Sequence, residues 1–242
     1  MGEPLLFIPG WNTTAATVRS WLPDSFLEAH RCGVLEWPGL GEAQNDPLPS
    51  TLDGFLDDLA EALPAKPVMV VGFCLGGLAA WCFARRHPGS ARASIMVESP
   101  THYPLILAPL LVPGLGRALL HLVQATPLCR WAVRGAILQP RISYPLTFLD
   151  GLFTFEVGAA LHYLRIFNTF RKLPRSPDGA TPLGRATWHL RGEHAVKVLA
   201  PALGFCPRIG ATELLLEGAG HFPAVEAPSV FFERIQGILA TP

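Results

Sequence analysis

The sequence predicts an α/β fold: a mostly parallel central sheet flanked by helices, with a helical stretch inserted in the middle of the chain. Three observations predict it. Short apolar runs alternate with segments whose apolar residues fall at helical spacing, a rhythm that builds parallel strands covered on both faces. One run, Val68-Met69-Val70-Val71, passes through Gly72-Phe73-Cys74-Leu75-Gly76-Gly77 into a helical segment, a strand–turn–helix junction. The stretch from Pro100 to Pro182 breaks the rhythm, its leucine-rich pieces separated by Pro104, Pro109, Pro113, Pro127, Pro140, Pro145 and Pro174.

The elements follow in order. Pro4 to Pro9 reads as a buried strand that ends in the loop Gly10-Trp11-Asn12. Thr17 to Leu27 has helical character interrupted by Pro23, and Cys32 to Trp37 is a second strand stopped by Pro38-Gly39. Leu52, Phe55, Leu56, Leu59 and Leu63 share one helical face. The strand before Gly72 and its helix, which runs to His87-Pro88, come next. Ala93 to Val97, Trp188 to Arg191 and Thr212 to Glu217 are further strands, and Val225 to Leu239 closes the chain as a helix. The expected organisation is a core of residues 1–99 and 183–242 interrupted by a helical cap over 100–182.

The bulk numbers narrow the function. With 242 residues the chain suits one α/β domain. Zero net charge gives no basic face for nucleic acid. Half of the residues are hydrophobic and only 16% charged, which calls for a large core or an apolar cleft. Five cysteines with no CxxC pair speak against a disulfide framework or a zinc knuckle and suit a reduced cytoplasm. Cys82, about two helical turns from Cys74, is expected to face the core, and Cys129 and Cys206 belong to no motif. The first ten residues lack the basic start of a signal peptide, and Leu6 stands where myristoylation needs Ser or Thr. Leu105 to Val123 is apolar, but its prolines, glycines, Arg117 and His121 speak against stable membrane insertion. Lining a cleft and packing helix against helix both account for its leucines.

The chemistry centres on Cys74. Gly72-Phe73-Cys74-Leu75-Gly76 has the spacing of a nucleophile elbow, with Cys where Ser is usual. Glycines two before and two after free a strained turn from side-chain clashes, and the Leu75 N–H faces a developing oxyanion. A thiol nucleophile needs a base, and Gly218-Ala219-Gly220-His221-Phe222 follows the last strand. The alternatives are a buried structural Cys and a loop His without a role.

These two motifs, with Phe7-Ile8-Pro9-Gly10-Trp11 as the loop after the first strand, make the chain resemble the α/β-hydrolase superfamily over nearly its full length. The opening and the short cap are most similar to small carboxylesterases that demethylate pimeloyl-carrier-protein esters. The Cys is shared instead with dienelactone hydrolases and polyhydroxyalkanoate synthases. The resemblance implies a second oxyanion donor, the Trp11 N–H, and a third catalytic member that orients His221. Its usual position is Ala195, where no carboxylate stands. Glu98, at the end of the strand after the elbow helix, and Glu193, two residues from the usual site, are the candidate acids; Glu217 is a third carboxylate near His221, and a Cys–His pair without an acid is also workable. The bland use of Glu98 is a salt bridge to Arg85 or Arg92. His102, Tyr103, His194, Arg130, Arg134, Arg141 and Arg165 have plain packing or solvated readings beside functional ones.

The resemblance implies covalent acyl transfer without metal or organic cofactor. The expected activity is hydrolysis of an ester or thioester with an apolar acyl group, carried on CoA or an acyl carrier protein or free. An acyltransferase or cyclase passing the acyl group to an amine, alcohol or thiol is the alternative. A hydrolase-fold binding protein without catalysis is a second alternative.

Overall fold

The computed structural model describes residues 4–64, 66–100, 103–171, 186–195 and 210–241. Six strands form one all-parallel sheet: β1 (Pro4–Ile8), β2 (Arg31–Val34), β3 (Val68–Phe73), β4 (Ala91–Val97), β5 (Thr187–Gly192) and β6 (Thr212–Leu216). Their spatial order is β2-β1-β3-β4-β5-β6. β3 is buried along its whole length, as a central parallel strand must be.

The period of two along the strands splits the core into two layers. Leu6, Ile8, Val68, Val70 and Met96 pack with the helices Leu52–Ala62 and Leu75–Arg86. Leu5, Phe7, Met69, Val71, Phe73, Ile95 and Val97 pack on the other face with Phe231 and Ile235 of the last helix, Pro228–Leu239. Leu52, Phe55, Leu56 and Leu59 are buried as their spacing predicts, and Thr51 caps that helix by accepting from the Gly54 N–H.

Some boundaries differ from the sequence reading. Pro23 divides the expected helix into Ala15–Arg19 and Asp24–Ala29. β2 ends at Val34 rather than Trp37, although the Leu35 N–H still donates to the Phe7 carbonyl. The closing helix is broken at Ala227, just before Pro228, which leaves the short turn Pro223–Glu226 ahead of it.

Between β4 and β5 the described chain forms a 3-10 segment (Leu105–Leu111) and the helices Leu115–Ala125, Pro127–Ile137, Leu146–Gly151 and Val157–Phe167. The first two pieces meet at 103°, and no single helix among the described residues is long and apolar enough to cross a membrane. Val157–Phe167 joins the core layer of the elbow helix through Ala159, Tyr163, Leu164, Ile166 and Phe167. Tyr163 donates to the Pro38 carbonyl at 2.7 Å. Tyr103 is fully buried and donates to the Leu107 carbonyl, which ties the start of this segment to its 3-10 turn. His102 and Cys206 lie outside the described residues.

Candidate active site

The elbow is built by close backbone contact. A β-carbon on Gly72 would lie 2.2 Å from the Gly76 carbonyl oxygen, and one on Gly76 would lie 2.2 Å from the Pro9 carbonyl oxygen. Only glycine lets the strand turn directly into the helix and lets the helix start press against the loop after β1. Cys74 sits in this turn at φ 49°, ψ −123°. Its N–H donates to the Val97 carbonyl and its carbonyl accepts from the Gly77 N–H, both at 2.9 Å. Leu75 is the first residue of a twelve-residue helix, so its N–H belongs to the positive end of the helix dipole.

The loop after β1 lies against the same point. A β-carbon on Gly10 would lie 3.3 Å from the Cys74 β-carbon, which puts Trp11 beside the elbow. The Trp11 indole donates to the Ala160 carbonyl at 2.9 Å, and the Trp37 indole donates to the Pro9 carbonyl at 3.0 Å. Both ends of the loop are therefore held by tryptophan side chains.

Glu98 follows directly on β4 and is only 1% exposed. Its Oε1 accepts from the Gly192 N–H at 2.6 Å. Its Oε2 lies 3.5 Å from Nδ1 of His221, whose side chain is 7% exposed. These two atoms are buried and have no other hydrogen-bond partner among the described residues, so they face each other at ion-pair rather than short hydrogen-bond distance. Burial works to lower the His221 pKa. Hydrogen bonding to Cys74 and to Glu98, with the charges of both, outweighs burial and pushes it up to about 10. With Nδ1 turned to the carboxylate, Nε2 is the nitrogen left for the sulfur.

The other carboxylates near the loop do not join this group. Glu193 is 50% exposed, accepts from the Gly218 N–H at 2.9 Å and lies 4.0 Å from His194. Glu217 is exposed. Nor does Glu98 pair with Arg85 or Arg92: Arg85 lies over the Trp81 ring, and Arg92 donates to the Thr241 carbonyl. Ala195 adds no acid.

Sequence reasoning missed Glu226. It falls inside the segment Val225 to Leu239 that the spacing predicts as the closing helix, yet its carboxylate is buried and organises the histidine loop. Oε2 accepts from the Gly220 N–H at 2.5 Å and the Phe222 N–H at 3.1 Å, the amides on either side of His221. Oε1 accepts from the Tyr144 hydroxyl, and Gln139 donates to the Gly218 carbonyl at 3.1 Å. The segment between β4 and β5 thus holds the loop that carries His221. A carboxylate five residues after the histidine, in a loop rich in glycine, was the available signal.

A cavity of about 590 Å³ opens above Cys74 and His221. Trp11, Phe73, Leu110, Leu120, Phe153 and Phe155 give its character, Cys129 also lines it, and among the described residues no charged side chain other than His221 does so. Cys82, by contrast, sits on the elbow helix against the core, where burial pushes its thiol up to about 12. A second cavity, of about 480 Å³, lies at the far edge of the sheet by Trp188 and the last helix and holds none of the site residues. Among the described residues, the only non-glycine residues at positive φ are Asn12, Cys74 and Glu98, and all three border the site.

The sequence profile described as "alpha/beta hydrolase fold" matches residues 3–127. A pimeloyl-[acyl-carrier protein] methyl ester esterase of Shewanella woodyi is 28% identical over 98 residues, 40% of this chain and 36% of that protein. The match thus spans little more than a third of that curated relative. Among solved structures, MenH from S. aureus superposes with TM-score 0.74 at 18% identity, covering 98% of this chain and 93% of that one. A thermophilic esterase from Thermogutta terrifontis gives 0.73 at 17%, covering 99% and 90%. The enol-lactonase from Burkholderia xenovorans gives 0.71 at 15%, covering 99% and 92%. At these identities the structures share the fold.

Proposed function

The chain belongs to the alpha/beta hydrolase fold family, and on that premise we propose that it is a Cys-dependent acyl-transfer enzyme that hydrolyses an ester or thioester with an apolar acyl group. The observation that carries this reading is a buried His221 that faces Glu98 through Nδ1 and is coupled to Cys74, at the floor of an apolar cavity.

The Cys74 sulfur attacks the acyl carbonyl carbon, and His221 holds the thiol proton. The N–H groups of Leu75 and Trp11 stabilise the oxyanion. Collapse of the tetrahedral species expels the alkoxide or thiolate, which takes the proton from His221, and leaves an acyl thioester on Cys74. His221 then takes a proton from water, the resulting hydroxide attacks the thioester, and the carboxylic acid leaves as the sulfur is released. Glu98 keeps Nδ1 protonated and balances the imidazolium. In this reading residues 100–182 act as a lid over a core of 1–99 and 183–242.

An apolar cavity that keeps water scarce also favours a second reading, transfer of the acyl group to an amine, alcohol or thiol. The test is intact-protein mass spectrometry after mixing with acyl thioesters of graded chain length. The expected result is an acyl adduct in the native chain, absent in Cys74→Ala, that disappears with release of free acid. Disappearance only on addition of an amine or alcohol selects transfer. A folded protein that gives neither adduct nor product overturns the enzymatic reading in favour of a binding protein.

A further inference from the structure

The segment between β4 and β5 is unlike the rest of the chain in charge and in what it exposes. Residues 100–149 contain Arg117, Arg130, Arg134 and Arg141 and no Asp or Glu. Since the whole chain is neutral, the remainder carries four negative charges in excess. Among the described residues, most of the large apolar side chains that stand exposed lie between Leu105 and Leu146. The outer face of Pro127–Ile137 consists of Leu128, Trp131, Ala132 and Gly135, with Leu128 70% and Trp131 72% exposed. Leu115 and Leu122 give the neighbouring helix a similar outer stripe, flanked by Arg117 and His121.

We propose that this pole docks peripherally on the surface of an anionic phospholipid bilayer. Aliphatic side chains with a tryptophan on one face and arginines without acidic neighbours are what an interfacial helix presents to lipid. The exposed guanidinium groups of Arg117 and Arg141 supply long-range attraction, and the apolar face supplies the anchor. An acidic protein partner fits less well. Such a partner needs guanidinium groups aimed outward, whereas Arg130 and Arg134 lie over the Phe153 ring at 5.7 and 5.3 Å, and Arg130 also donates to the Gln124 carbonyl. The outermost face carries no charge at all.

The position of the patch has a further use that does rest on the proposed function. Ile106 and Leu122 are exposed and also line the cavity above Cys74, so the apolar patch continues into the cavity. A docked enzyme would draw its acyl substrate from the lipid side.

The test is co-sedimentation of the full chain with vesicles of phosphatidylcholine alone and of phosphatidylcholine mixed with phosphatidylglycerol. It needs no substrate, so its result is independent of the catalytic reading. Binding to the anionic vesicles is expected, with at least tenfold weaker binding to neutral ones. Leu128→Ser with Trp131→Ser, both exposed and remote from the core, should lower the bound fraction at least tenfold with an unchanged circular dichroism spectrum. Arg117→Gln with Arg141→Gln should lower it on anionic vesicles only. Failure to bind either vesicle overturns the proposal. So does binding of an acidic acyl carrier protein that needs the arginines but not Leu128 and Trp131, or a dimer in sedimentation velocity that Trp131→Ser dissolves, when vesicles are not bound.

Discussion

Around Cys74 the backbone is packed so tightly that Gly72 and Gly76 have no room for a β-carbon, whereas the helices above the cavity leave Leu128 and Trp131 in the open. The two regions enclose one cavity on opposite terms. The sheet side sets the atoms proposed to take part in chemistry, and it does so through backbone contacts that tolerate no added atom. The helical side supplies apolar surface, whose identity matters more than its position. The lesson is that, under the proposed function, the rigid half would decide whether the reaction occurs and the open half what reaches it.

The strongest way to break the contrast is to add one methyl group on each side. Gly76→Ala would drive a β-carbon into the Pro9 and Ile8 carbonyls at 2.2 and 2.5 Å. It should cost about 3 kcal/mol, near the top of overpacking costs, read as a lower urea midpoint. Next, Glu98→Gln should lower turnover of whichever acyl substrate is found by about a hundredfold, roughly 2.7 kcal/mol, with Glu193→Gln near the native rate. The reverse ranking would move the acid to the loop after Gly192.

The seam between the two halves gives a smaller effect. Tyr144→Phe removes one of the donors to Glu226 and should cost about 1 kcal/mol in stability. Glu226→Gln should also change the pH profile of Cys74 alkylation by iodoacetamide, followed on the Cys74 peptide, because the His221 loop is displaced. A shift in stability with an unchanged profile would limit Glu226 to a structural part.

The pH dependence has a definite sign. The His221 pKa is raised from its ordinary 6.5 to about 10 in the folded chain. The stability this provides is fully present below about 6.5 and is lost as pH rises through about 10. Urea midpoints measured across that window should fall, and Glu98→Gln should flatten the fall. The smallest change, and the mirror image of the first, is Gly135→Ala. Nothing lies within 4 Å of a β-carbon there, and the residue is inside a helix, so a gain of about 0.5–1 kcal/mol is expected.

Much of the sheet side was legible in the sequence. The buried strands, the glycines around Cys74 and the late glycine-bounded His221 are local signals, and each lies where its pattern predicts. Glu98 was readable only as one of several carboxylates, because Ala195 left the usual place empty and the choice depended on which strand ends meet. Glu226 was not readable. An acid in a first helical turn is ordinarily solvated, and the hydroxyl that meets this one comes from Tyr144, in a distant part of the chain. The same holds for Leu128 and Trp131. Helical spacing marks an apolar stripe without telling whether anything covers it.

Two of the three side chains proposed to act in the reaction, Cys74 and Glu98, sit at positive φ, where a glycine would relieve roughly 1–2 kcal/mol of backbone cost. The fold alone would thus be better served by residues with no chemistry. Replacing either residue by glycine should therefore raise the unfolding midpoint even as it removes the side chain proposed to act there.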